Sequence, residues 1–143
     1  MSTEIGDIAA ALVTELNAQT WSQTFTAARF YRPLTQLKNL GTLAVTVVPR
    51  GLLATEGSRS EEEYAYELAI VVQKRLEAVT NALIDPLVDL VEQIADHFRL
   101  SRCPGYAAAI CRAMATDPLA DEDDLNEFNQ FTSILTLTYR VMR

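Results

Sequence analysis

Residues 62–74 read Glu62-Glu63-Tyr64-Ala65-Tyr66-Glu67-Leu68-Ala69-Ile70-Val71-Val72-Gln73-Lys74. Tyr64, Tyr66, Leu68, Ile70 and Val72 alternate with Ala65, Glu67, Ala69, Val71 and Gln73, the two-residue period of a β-strand. From Leu68 to Val72 both sets are apolar, which predicts a central strand covered on both faces. A sheet therefore organises the fold, and the rest of the chain is read around it.

Upstream, Thr42 to Val48 predicts a strand with Leu43, Val45 and Val47 on one face, closed by Pro49. Thr24 to Arg32 predicts another, ending at Pro33, since proline cannot donate to a ladder. Leu34, Leu37 and Leu40 suggest a turn of helix or a buried loop between them. Downstream, Phe131 to Met142 predicts a long last strand. Its Phe131, Leu135, Leu137, Tyr139 and Val141 face the core, and Thr132, Thr136, Thr138 and Arg140 face outward.

Three helices are expected. Residues 3–17 carry Ile5, Ile8, Ala9, Leu12 and Leu16 at helical spacing, with Ser2 or Thr3 as N-cap. Residues 86–99 carry Leu87, Leu90, Val91, Ile94, Ala95 and Phe98, with Asp85-Pro86 as the start signal. A shorter helix is expected from Tyr106 to Ala115. The expected order is α-β-β-β-α-α-β, an α+β domain with an antiparallel sheet of about four strands flanked by helices. At 143 residues the chain fits one domain.

Residues 49–61 read as a long polar loop, with Gly51, Gly57, Ser58 and Ser60 as turn formers between Arg50 and Arg59. A structureless connection this long is uncommon unless it functions, so the loop is the foremost interaction candidate. Tyr64 and Tyr66 share a face and fit aromatic packing better than a stacking platform.

Twelve bases against nineteen acids give a net charge of −7. Affinity for nucleic acid comes largely from neutralising phosphates, so a generally basic nucleic-acid binder is excluded. Six acids fall in residues 117–127: Asp117, Asp121, Glu122, Asp123, Asp124 and Glu127. Without them twelve bases face thirteen acids, so a near-neutral body carries one acidic segment. Ten of the twelve bases are Arg, the residue type favoured at protein interfaces. Met1 to Asp7 contains no base, which speaks against a signal peptide. No apolar run approaches the ~20 residues that span a bilayer. The expected setting is the cytoplasm.

Chemistry-bearing residues are few. His97, Cys103 and Cys111 are separated by five and seven residues, with no fourth ligand in view, a poor match to a zinc site. Cys111 is expected to pack as a small apolar group and Cys103 to lie in a loop. The glycines are scattered and build no phosphate loop. Asp121 to Asp124 lacks the alternating ligands and central glycine of a calcium loop. No catalytic residue, metal or cofactor is expected, and an enzyme is the least favoured reading.

The order of elements resembles that of the small neck and tail-completion proteins of tailed bacteriophages. It runs through a first helix, a strand ending Phe30-Tyr31-Arg32-Pro33, and the strand Leu43 to Val48. The Arg-bearing loop, the strand Tyr64 to Val72, the helix Pro86 to Arg99 and a late strand Phe131 to Tyr139 follow. The likeness covers most of the chain and rests on pattern and length; residues 103–127 fit it least.

The resemblance implies a structural, non-enzymatic tail terminator: a hexameric ring capping the tail tube and joining it to the head connector. Its partners would be further copies of itself, the tail tube protein and neck proteins, in the host cytoplasm during assembly and then in the virion. DNA would pass without specific binding. Residues Arg50, Gly51, Leu52, Leu53 and Arg59 would form the subunit or tube contact. Asp121, Glu122, Asp123 and Asp124 would face the channel or its mouth. The alternatives are a head-completion adaptor closer to the portal and a cytoplasmic α+β protein-binding module.

Overall fold

A computed structural model describes residues 3–32, 42–58, 61–99 and 101–142, with backbone only at 55–58, 61 and 62. Its elements are α1 (Glu4–Ala18), β1 (Ala27–Arg29), β2 (Leu43–Ser58), β3 (Glu61–Arg75), α2 (Asn81–Phe98), β4 (Arg102–Cys103), β5 (Tyr106–Thr116), α3 (Glu122–Phe128) and β6 (Gln130–Met142). The class is α+β, with one six-stranded sheet in the order β1-β2-β3-β6-β5-β4.

β3 lies near the centre of this sheet, antiparallel to β2 and to β6. The registers Val47↔Ile70↔Leu135 and Pro49↔Leu68↔Leu137 put the alternating residues of all three strands on common faces. Tyr66, Leu68, Ile70 and Val72 point to one face, with Val45, Val47, Leu135, Leu137, Tyr139 and Val141. α1 covers that face with Ile8, Leu12 and Leu16, and α2 with Leu87, Leu90, Val91, Ile94 and Phe98. Burying one such side chain stabilises by about 1.5–3 kcal/mol, so these stripes hold both helices to the sheet. Val48, Ala69 and Val71 form a second buried cluster, with Ile134 packed on it. Every residue from Leu68 to Val72 is buried, as the run of apolar residues predicts.

α1 starts at Thr3, whose Oγ1 accepts from Gly6 N at 3.1 Å. Gly6, a weak helix residue by propensity, has a packing role. A Cβ there would stand 2.7 Å from Arg29 Nη1 and from Thr3 Oγ1. Its absence lets the Arg29 guanidinium donate to Gly6 O at 3.2 Å.

Several expectations are corrected. The sheet has six strands, and it is mixed, because β1 runs parallel to β2 with Ala27↔Val45 and Arg29↔Val47. The first strand is Ala27–Arg29 only. Asn17, in the last turn of α1, engages both backbone groups of Ala27, at 2.7 and 3.2 Å, and so sets where β1 begins. α2 begins at Asn81, with Thr80 as N-cap, so Pro86 lies inside it. Pro86 forgoes its bond to the Ala82 carbonyl there, yet the helix continues because its apolar stripe is anchored on the sheet.

The expected helix Tyr106 to Ala115 is a strand. Its alanines favour a helix locally, but pairing with β6 satisfies the backbone of β5. A turn at Pro104-Gly105, with Gly105 at φ +80°, folds β5 back on β4. The order α-β-β-β-α-α-β thus gives way to α-β-β-β-α-β-β-α-β. Residues 49–61 do not form a loop: 49–58 belong to β2, and β3 starts at Glu61. The readings of Pro33, Leu34, Leu37, Leu40, Arg59 and Ser60 lie outside the described residues.

Candidate interaction surface

The β2–β3 hairpin carries the surface that sequence pattern singled out. β2 continues through Pro49 because of which way that residue faces. The Val47 carbonyl points outward and accepts from Phe30 N at 3.1 Å. Pro49, two residues on, turns its ring nitrogen to the same side, so no ladder bond to β3 is lost. The register slips between Pro49 and Gly51, a bulge that leaves Arg50 without an opposite residue. Beyond it the ladder resumes with Leu52↔Tyr66, Leu53↔Ala65 and Ala54↔Tyr64.

Arg50, Gly51, Leu52 and Leu53 are all exposed, the two leucines at 61% and 63%. β1 pairs with β2 only as far as Val47, and the chain leaves β1 alongside this stretch. It brings Phe30 and Tyr31, 49% and 69% exposed, to the same edge, between the exposed Arg29 and Arg32. The Arg29 guanidinium lies 5.9 Å from the Tyr31 ring centre, a cation–π distance. An open groove of about 500 Å³ runs between these two residues and Asp7, Ala10 and Thr14 of α1. Sequence reasoning kept Phe30-Tyr31-Arg32 inside a strand. Two aromatics between two arginines at a strand end was the signal that could have found them.

Tyr64 and Tyr66 stack with ring centres 6.1 Å apart. Tyr66, buried, donates its hydroxyl to Glu4 Oε1 at 2.6 Å, and Tyr106 donates to Glu4 Oε2 at 2.5 Å. One carboxylate from α1 thus ties β3 to β5. That hydrogen bond, with lesser desolvation, pushes the Tyr106 hydroxyl up to about 12. These tyrosines serve packing.

The four acidic candidates do not act alike. Asp121 caps α3 and accepts from Asp124 N at 3.1 Å. Asp124 accepts from Thr132 Oγ1 at 2.5 Å and from Gln130 Nε2 at 3.5 Å. Both therefore hold α3 to β6, while Glu122 and Asp123 are exposed. Asp117, exposed as well, donates its N–H to Ile134 O at 3.0 Å, and Asp121 donates to Thr132 O at 2.8 Å. Residues 117–121 thus extend the lane of β5 beside β6.

His97 lies 3.4 Å from Glu15 and edge-on to Trp21 and Phe98. Cys103 and Cys111 are both buried. Cys103 lies in β4 and not in a loop, and burial pushes its thiol up to about 12. Among the described residues no group of three or more His, Cys, Asp or Glu is placed to hold a metal ion. Among them, too, no helix is long and apolar enough to cross a membrane. No protein-family model matches the chain, and no curated protein matches its sequence. The functional reading therefore rests on the surface itself.

Proposed function

We propose that this chain is a structural ring subunit of a tailed-bacteriophage neck, a tail terminator that caps the tail tube and joins it to the head connector. One observation carries this reading: where β1 stops pairing with β2, four large apolar side chains are left in water, Leu52 and Leu53 on β2 and Phe30 and Tyr31 at the end of β1. Exposed large apolar side chains at one edge of a sheet favour a contact with another protein. Arg29, Arg32 and Arg50 add the residue type that interfaces favour.

The charge of the chain suits the same role. A net charge of −7 repels phosphate, so DNA can pass a ring of such subunits without being gripped. The protein is structural on this reading, uses no cofactor, and works in the host cytoplasm before it enters the virion. Its partners are further copies of itself, the tail tube protein and the neighbouring neck proteins.

Sedimentation and negative-stain electron microscopy of the purified chain test the reading. A closed, hexameric annulus with a central channel is the expected result. Particles without a channel, whether monomers or two-fold dimers, would refute it.

A further inference from the structure

The geometry points to a second copy of this chain as the occupant of the Phe30–Leu53 edge, docking there through the acidic corner at residues 117–127. The inference rests on the ring reading and assigns its subunit contact. It also moves the acidic corner from the channel to the joint between neighbours.

The two patches are complementary in charge. Residues 29–32 and 50–53 carry three arginines, Arg29, Arg32 and Arg50, and no acid of their own; Asp7 lines the groove beside Arg29, and the exposed Glu67 pairs with Gly51. Residues 117–127 carry six acids and no base. Each patch also presents apolar surface: Phe30, Tyr31, Leu52 and Leu53 on one, Leu119, 43% exposed, on the other. A contact that joins opposite charges around exposed apolar side chains gains both desolvation and register.

The two patches cannot satisfy each other within one copy. The first lies on β2 and in the β1 lane beside it. The second occupies the β5 lane, on the far side of β6. β3 and β6 stand between them. From the β1 lane to the β5 lane is four strand spacings, or ~19 Å. Different patches meeting head to tail make a heterologous contact, which closes into a ring if the rotation permits. Of the acids, Glu122 and Asp123 are best placed to reach a neighbour, because Asp121 and Asp124 are committed to α3 and β6.

Charge exchange on the full chain tests this, read by native mass spectrometry and by sedimentation across a salt series. The wild-type oligomer is expected to fall apart as salt rises, because exposed charges are screened. Arg32→Glu with Arg50→Glu, and separately Glu122→Lys with Asp123→Lys, should each abolish the oligomer. All four substitutions together should restore it. These side chains are exposed, and circular dichroism would verify that each variant is folded.

An annulus indifferent to both pairs would overturn the contact and leave the ring reading standing. A two-fold dimer that obeys the exchange would support the contact and end the ring reading. Failure of the four-fold variant to reassociate, or a wild-type chain that stays monomeric, would overturn the contact.

Discussion

The two halves of the β2–β3 hairpin share one ladder and have opposite surroundings. Below Pro49, Val45, Val47 and Val48 pair with Val72, Ile70 and Ala69, and all six are buried. Above it, Leu52 and Leu53 are mostly in water, although the pairing continues to Ser58↔Glu61. The residue types are similar, so hydrophobicity does not separate the halves. What differs is cover. α1 and α2 cover the face of the lower half that carries Val45, Val47, Ile70 and Val72, and β1 flanks it in the sheet, whereas Leu52 and Leu53, on opposite faces of the upper half, are both exposed. Pairing alone therefore does not make a core; a covered face does. The same contrast explains why the upper half is the part left to engage a partner.

The contrast can be broken or sharpened at three levels. Ile70→Ala, in the covered half, should destabilise the monomer most, by about 2–5 kcal/mol in urea denaturation. A loss under about 1 kcal/mol would mean that cover matters less than pairing.

Glu4→Gln acts at the boundary, where Tyr66 faces Leu52. It should cost about 1–3 kcal/mol, since two tyrosine hydroxyls lose a charged acceptor. Its signature is alkaline. Tyr106 ionises near 10 when unfolded and is held up to about 12 in the fold. Its contribution is therefore full below pH 10 and is lost as pH rises through about 12. In the Glu4→Gln variant the tyrosinate absorbance should rise at lower pH than in the wild type. An unchanged titration would show that Glu4 does not hold this proton.

Leu53→Ala, in the open half, should change monomer stability by no more than about 0.5 kcal/mol. On the proposed function it should nonetheless weaken the oligomer. A stability loss rivalling that of Ile70→Ala would erase the distinction between the halves.

How far sequence carried the reading differs element by element. α1, β3 and β6 were legible because each carries a clear period, and most of the apolar residues assigned to their inner faces are buried; Ile5 is only partly so, and Thr132, expected to face outward, is buried with Gln130 and Ser133 where α3 packs on β6. β5 was misread because an alanine-rich run favours a helix until a neighbouring strand edge takes up its backbone. Pro49 looked like a strand end because sequence does not say which way its ring nitrogen faces. In the candidate surface, Leu52 and Leu53 were found as part of a polar stretch. Phe30, Tyr31 and Arg29 were missed because exposure at an edge depends on where β1 stops pairing. The acids were found as a cluster, but their division into cap, anchor and exposed pair rests on Thr132 and Gln130, residues that no local pattern connects to them.

The chain alone thus determined an α+β protein with a central strand at residues 62–74, two amphipathic helices to cover it, and charge separated into an acidic stretch and a near-neutral body. These follow from periodicity and composition, which are local properties. Tertiary structure alone decided the parallel β1, the strand identity of β5, the passage of β2 through Pro49 and the edge on which Arg50 meets Phe30 and Tyr31. Each depends on which backbone groups lack a partner after the sheet has formed, and that is settled between residues far apart in sequence.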